Sequence, residues 1–157
     1  MDYYAPYVYV GKVACDPSIK ISKYFKLLEF MNTLDGYAYV IGDYGLFNKL
    51  DKLREHVGSI TLTSGYRTPD YNASVGGSTN SNHIKGLAVD AVFDFQGWSH
   101  LELRSILVDL EFNNVGFYYD KHTNKLRWLH LDTGKCWGDG NGWQMFTDDY
   151  CEKTYYV

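Results

Sequence analysis

Three side chains of this sequence could share a metal ion. His83 closes a long polar stretch, Asp90 lies inside the apolar run LAVDAVF, and His130 sits between two leucines in LRWLHLD. If LAVDAVF is a strand, Ala88, Asp90 and Val92 share one face, and Leu87, Val89, Ala91 and Phe93 the other. A carboxylate among so many apolar neighbours is costly unless it is paired or metal-bound. Gly86 lets the chain turn between His83 and that strand, so both side chains can point to one centre. In the second run Trp128, His130 and Asp132 face one way, while Leu129 and Leu131 face the other, toward a core. Two imidazoles and one carboxylate give zinc three protein ligands and leave a fourth position open, the pattern of a catalytic site. A zinc so held lowers the pKa of a coordinated water to about 7 and polarises a carbonyl. Taken singly, each histidine also fits a hydrogen-bonded surface or core residue.

These residues need elements to position them. Tyr3 to Val10 is aromatic and β-branched and reads as a short strand. Ser22 to Met31 has near-helical apolar spacing, with Ser22 as N-cap. Gly45 to His56 repeats that pattern at Leu46, Phe47, Leu50 and Leu53, and Gly58 is placed to end it. Ser59 to Ser64 alternates and reads as a strand, as does Leu87 to Phe93. Between them, Gly65 to Asn82 is long and polar, the kind of loop that is usually functional or disordered, and its Arg, two Tyr and Gly-Gly suit a site better than a linker. Ser99 to Phe112 reads as a helix with Leu101, Leu103, Ile106, Leu107 and Leu110 inward. Val115 to Tyr119 and Leu126 to Leu131 read as a hairpin across the turn Asp120 to Lys125. Gly134 to Trp143 is a Gly/Trp-rich loop. Without a regular βαβ rhythm, the expected class is α+β, one domain over residues 1–157 with helices packed on an antiparallel sheet.

Composition narrows the partners. The 157 residues suit one domain, and the 45% hydrophobic, 22% charged mix is that of a soluble globular chain. The net charge of −4 and the lack of a basic tract argue against nucleic acid. No stretch is apolar enough to span a membrane, and the N-terminal residues have no basic n-region. The expected product is therefore cytosolic as made, without a signal peptide. Cys15, Cys136 and Cys151 form no CxxC pair. They read as free thiols, with a Cys136–Cys151 bridge as the alternative. His56 and His100 have no partner motif and read as structural. Trp137 and Trp143 either wall a cleft or pack in the core.

The stretch SGYRTPDYNASVGGSTNSNHIKGLAVD, followed by VGFYY and WLHLDTG, closely resembles the M15 family of zinc D-Ala-D-Ala peptidases, within the Hedgehog/DD-peptidase fold. The family pattern SxHxxGxAxD stands here as Ser81, His83, Gly86, Ala88 and Asp90. Its aromatic-x-His-x-Asp half stands as Trp128, His130 and Asp132. The run Ser64-Gly65-Tyr66-Arg67 also matches, and the early YFKLLEF is similar to the start of the single-domain branch. The resemblance runs from about residue 22 to 137. It implies Zn²⁺ on His83, Asp90 and His130, with Arg67 and Ser81 holding the substrate or its tetrahedral intermediate. A guanidinium suits a peptide carboxylate or an oxyanion. Arg67 would otherwise brace its loop through a salt bridge, and Ser81 a turn.

One departure matters. Many M15 enzymes carry an acid or His two or three residues before the last zinc-binding His, acting as general base. Here those positions are Arg127 and Trp128. Asp132 shares a strand face with His130 and either takes that proton or orients a ligand. Asp120 and His122, in the preceding turn, are further candidates, although they read better as solvated turn residues. Branches with the plain aromatic-x-His-x-Asp-Thr-Gly ending resemble this chain best. The resemblance implies zinc-dependent cleavage of peptidoglycan stem peptides or cross-bridges at the bacterial cell wall, by a phage-type lysin or a virion-associated wall peptidase, monomeric unless part of a virion. The competing expectation is a non-catalytic zinc-containing binding module of the same fold.

Overall fold

Alternation and capping explain most of the elements found. The structure, a computed structural model, describes residues 7–12, 20–30, 37–135, 143–147 and 154–155. Strand β1 (Tyr7–Lys12) pairs antiparallel with β2 (Tyr37–Gly42). Six further strands form one sheet in the order β3-β4-β6-β5-β7-β8: β3 (Thr61–Ser64), β4 (Ala88–Val92), β5 (Asn114–Tyr119), β6 (Leu126–Asp132), β7 (Trp143–Thr147) and β8 (Thr154–Tyr155). All its pairs are antiparallel except β5 with β7, which run parallel. The α+β class holds, and β5 and β6 form the expected hairpin. Cys15, Cys136, Cys151, Trp137 and the Tyr3–Pro6 part of the first expected strand lie outside the described residues.

The odd residues of the central strands build the core. Val89, Ala91, Leu129, Leu131, Val115 and Phe117 are buried together with Leu46, Phe47, Leu50 and Leu53 from α2 (Tyr44–Val57) and Leu103 and Leu107 from α4 (His100–Asp109). Helix α2 starts at Asp43, whose carboxylate accepts from the Gly45 and Leu46 amides, and ends at Gly58 with φ +86°. Helix α4 starts in a capping box between Ser99 and Glu102. Leu101, expected inward, is 75% exposed. At about 100° per residue it lies some 200° round the helix from Leu103, so both cannot face the core.

Two further expectations fail. Ser22 to Met31 does not form one helix; only α1 (Leu27–Phe30) is helical, and Met31 lies outside the described residues. Asp51 of α2 explains the difference. Its carboxylate accepts from the Lys23 and Tyr24 amides and the Ser22 hydroxyl, and Ser22 Oγ in turn accepts from the Phe25 amide. Amides satisfied in this way need no helix. Conversely, the polar stretch from Gly65 to Asn82 contains α3 (Pro69–Ser74), with Thr68 as N-cap and Pro69 at the first turn. Thr-Pro-Asp is a helix-start signal that the polar character of the loop obscures. Asn72, buried on α3, donates to the Ser78 carbonyl and so folds the rest of the loop back on the helix.

Candidate metal centre

The β4–β6 register brings two of the three ligands together. Asp90 stands directly opposite His130 in that antiparallel pair, where facing side chains are nearest neighbours. His83 arrives from consecutive tight turns. The Ile84, Lys85 and Gly86 amides donate to the Ser81, Asn82 and His83 carbonyls, and Gly86 has φ +70°, where glycine is favoured. The Ser81 hydroxyl accepts from the His83 amide at 3.3 Å.

His83 Nε2, Asp90 Oδ1 and His130 Nδ1 lie 3.1 to 3.3 Å apart. A tetrahedral zinc with ligand distances of 2.0–2.1 Å separates its ligand atoms by about 3.3–3.4 Å. The three atoms therefore fit three corners of such a site, and all three residues are buried. The other ring nitrogens are engaged. His83 Nδ1 donates to the Gly65 carbonyl at 2.7 Å. With Nδ1 of His130 left to a metal, its Nε2–H donates to Asp132 Oδ2 at 2.8 Å. Fixing both rings in this way is what metal-binding histidines require.

Asp132 does not open onto the metal position. It is fully buried; its Oδ1 accepts from the Gly134 amide at 3.0 Å and from the Asn114 side chain, while Oδ2 is on His130. Asn114 and the Gly65 carbonyl were not singled out from sequence, because nothing in a β-strand pattern marks which backbone or amide group will meet a given imidazole. Asp120 accepts from the His122 and Thr123 amides and shapes the β5–β6 turn, with His122 exposed. His56 is exposed near the end of α2, and His100 Nδ1 lies 2.8 Å from the Tyr119 hydroxyl, away from the centre.

Arg67 grips Asp90. Its Nη2 donates to Asp90 Oδ2 at 2.8 Å, its Nε to Ser64 Oγ at 2.8 Å, and its Nη1 approaches Asn72 Oδ1 at 3.5 Å. Its backbone amide donates to the His83 carbonyl, tying the two ends of the loop. A cleft of about 410 Å³ opens beside Asp90, walled by Arg67, Tyr71, Val75, Val92, Arg127 and Trp128. Tyr118 stacks on Trp128 with ring centroids 3.5 Å apart.

Burial and charge oppose each other at the centre. Burial works against a charged His130, yet the Asp132 and Asp90 carboxylates outweigh it and hold the ring up to about 9. Burial pushes His83 down, and Asp90 only partly offsets this. Burial would raise Asp90, but hydrogen bonds from His130 and His83 hold it below the usual carboxylate range. In the metal-free protein His130 thus carries a proton at pH 7 that a metal must expel. Metal binding at pH 7 is expected to release about one proton. Affinity should rise about tenfold per pH unit toward pH 9 and fall on acidification. Calorimetric metal titrations in buffers of different ionisation enthalpy measure this directly, and zero release at pH 7 would contradict it.

The approach of Gly65 to α1 also supports the centre. A Cβ there would sit 2.6 Å from the Phe30 carbonyl oxygen and 2.8 Å from Phe30 Cα. Gly65→Ala must push these backbones apart and move the carbonyl that holds His83. The expected cost is about 1–3 kcal/mol, read by urea unfolding, with weaker metal binding.

The Peptidase M15 family model matches residues 24–132, well over half of the chain and inclusive of every residue of the centre. No curated protein matches the chain. Among the described residues, no helix is long and apolar enough to cross a membrane.

Proposed function

The chain belongs to the Peptidase M15 family, a metallopeptidase family, and on that premise we propose that it is a zinc-dependent hydrolase of amide bonds in peptidoglycan peptides. The observation that carries the reading is the triangle of His83 Nε2, Asp90 Oδ1 and His130 Nδ1 beside an open cleft. Zinc held there supplies a Lewis acid for the scissile carbonyl and lowers the pKa of water. The protein's own groups do the rest. Gly65 and Asp132 keep the two imidazoles in the tautomers that leave a lone pair for the metal. Arg67 neutralises Asp90 and keeps two of its five N–H donors for a substrate oxygen in the cleft that it lines. Ser81 acts through the backbone of His83, whose amide it accepts from. The substrate is a stem peptide or a cross-bridge, the site of action the bacterial cell wall, and the working form a monomer of the phage-lysin type.

Purified sacculi incubated with the zinc-loaded protein should release muropeptides whose masses identify a single hydrolysed amide bond. Stoichiometric zinc with no released fragment would favour the non-catalytic binding module instead.

A further inference from the structure

A second cavity, of about 790 Å³, opens where α4 and the β5–β6 turn meet the chain leaving β4, and no residue that lines it lines the metal cleft. The run Phe93-Asp94-Phe95-Gln96-Gly97-Trp98 builds one wall. Phe93 is buried in the core just past β4, and the ring of Phe95, two residues on, has its centroid 4.4 Å from that of Phe93. Asp94 Oδ1 accepts from the Gln96 amide, a turn that short acidic side chains favour. Gly97, at φ +84°, brings the chain round, and the Trp98 amide donates to the Phe95 carbonyl. Phe95 and Trp98 are thus held half-buried on the core while lining the cavity. Leu126 of β6 and the turn residues Asn124 and Lys125 supply more of the lining.

The chemistry of this cavity is that of a polar ligand with an apolar face. Among the described residues, the Gln96 and Asn124 carboxamides and the Trp98 indole N–H have no hydrogen-bond partner. Each carboxamide both donates and accepts. The charges cancel: Asp94 and Lys125 are of opposite sign, and burial pushes His100 toward its neutral form. Lys125 alone, offset by Asp94, does not suit the phosphates of a nucleic acid. A wholly apolar ligand would strip water from the carboxamides without replacing its hydrogen bonds. A pyranose ring meets both demands. The C–H groups on one of its faces complement the negative face of an aromatic ring, and the hydroxyls around its edge pair with groups that donate and accept.

We propose that this cavity is a second binding site, for an uncharged sugar ring of a glycan chain, with Phe95 and Trp98 as the stacking surface and Gln96 and Asn124 as partners of the hydroxyls. The site acts apart from the metal centre and holds the protein on a polymer, whatever the centre does there.

The probes are two soluble tetrasaccharides, chitotetraose and cellotetraose, which share β-1,4-linked pyranose rings and differ in the N-acetyl group. Each is titrated into the zinc-loaded full chain and followed by NMR. At least one should bind saturably with a dissociation constant of about 1 mM or below, shifting the amide resonances of Phe95, Trp98 and Asn124 and the Trp98 indole N–H. Gln96→Ala combined with Asn124→Gly should weaken that binding about tenfold or more, since two hydrogen-bonding groups are lost. Zinc content and melting temperature should hold, because glycine accepts the φ of +54° that Asn124 has and Gln96 is exposed. Trp98→Leu removes the stacking face and should abolish binding; Trp98 also packs on the core, and if that variant does not fold the double variant decides. No shift with either sugar at about ten times the expected constant, shifts confined to the metal cleft, or wild-type affinity in the double variant would overturn the proposal. Hydrolysis of sacculi without sugar binding would overturn it and leave the hydrolase reading standing. Sugar binding at this cavity without hydrolysis would do the reverse.

Discussion

His83→Ala should lose most of its zinc and on the order of 10³-fold or more in amide hydrolysis, the largest effect expected of any single change. Among the described residues three protein groups converge on the metal position, so removing one leaves a two-ligand site, below the count that zinc proteins use. Lewis-acid polarisation of a carbonyl is worth several kcal/mol, and each 1.36 kcal/mol is about tenfold in rate. A trivial loss of fold is separable from loss of the ion. Zinc binding should raise the melting temperature of the wild type, since a ligand at 100 times its dissociation constant adds about 2.7 kcal/mol of stability. The variant should fold, with its metal-free melting point lowered by the vacated space and by the Gly65 carbonyl left without its donor. It should not respond to added zinc. A zinc-dependent shift of wild-type size in His83→Ala, together with full occupancy by elemental analysis, would remove His83 from the centre.

How much of this was legible before the fold was known depends on the range of the interaction. Period-two alternation placed His130 off the core side of its strand and Asp90 on the face opposite Val89 and Ala91, and the burial of Leu129, Leu131, Val89 and Ala91 fits that division. The register that sets Asp90 across from His130 is a tertiary fact; nothing within either strand encodes it, and it enters the sequence only through the family pattern. Asp51 ending the helical expectation for residues 22–26 is of the same kind, since the amides it captures are 27 and 28 residues away. Arg127 is a third case: strand period alone puts it with the core leucines, and one extra residue in the β5–β6 pairing reverses that. Helix α3 is different. Thr68-Pro69-Asp70 carries a start signal that was readable, but it lay in a stretch whose polar composition argued for a loop.

Asp132 was left open from the sequence between two roles, because a shared strand face does not say which imidazole nitrogen a carboxylate will meet. The structure places it on His130 Nε2, on the far side of the ring from the metal position, with both of its oxygens in use. A general base needs to reach the water it deprotonates; this carboxylate is fully buried behind the ring. Asp132→Asn then has two ways to sit, and both are poor. With the amide oxygen toward Asn114 and Gly134, its NH₂ faces His130 Nε2. That nitrogen must then accept, and the proton moves to Nδ1, where the metal should bind. With the oxygen toward His130, the NH₂ meets two donors and a buried polar group goes unsatisfied, costing about 1–3 kcal/mol. Either way the expected result is a fall in zinc affinity of about 10–100-fold, measured by competition with a chromogenic chelator. Turnover should be largely restored at saturating zinc to the extent that the second orientation is populated. A base role predicts the opposite pattern: unchanged zinc affinity and a rate lowered about 10²–10⁴-fold at any zinc concentration. Finding that pattern would make Asp132 the proton acceptor and require the ring of His130 to move away from the position described here.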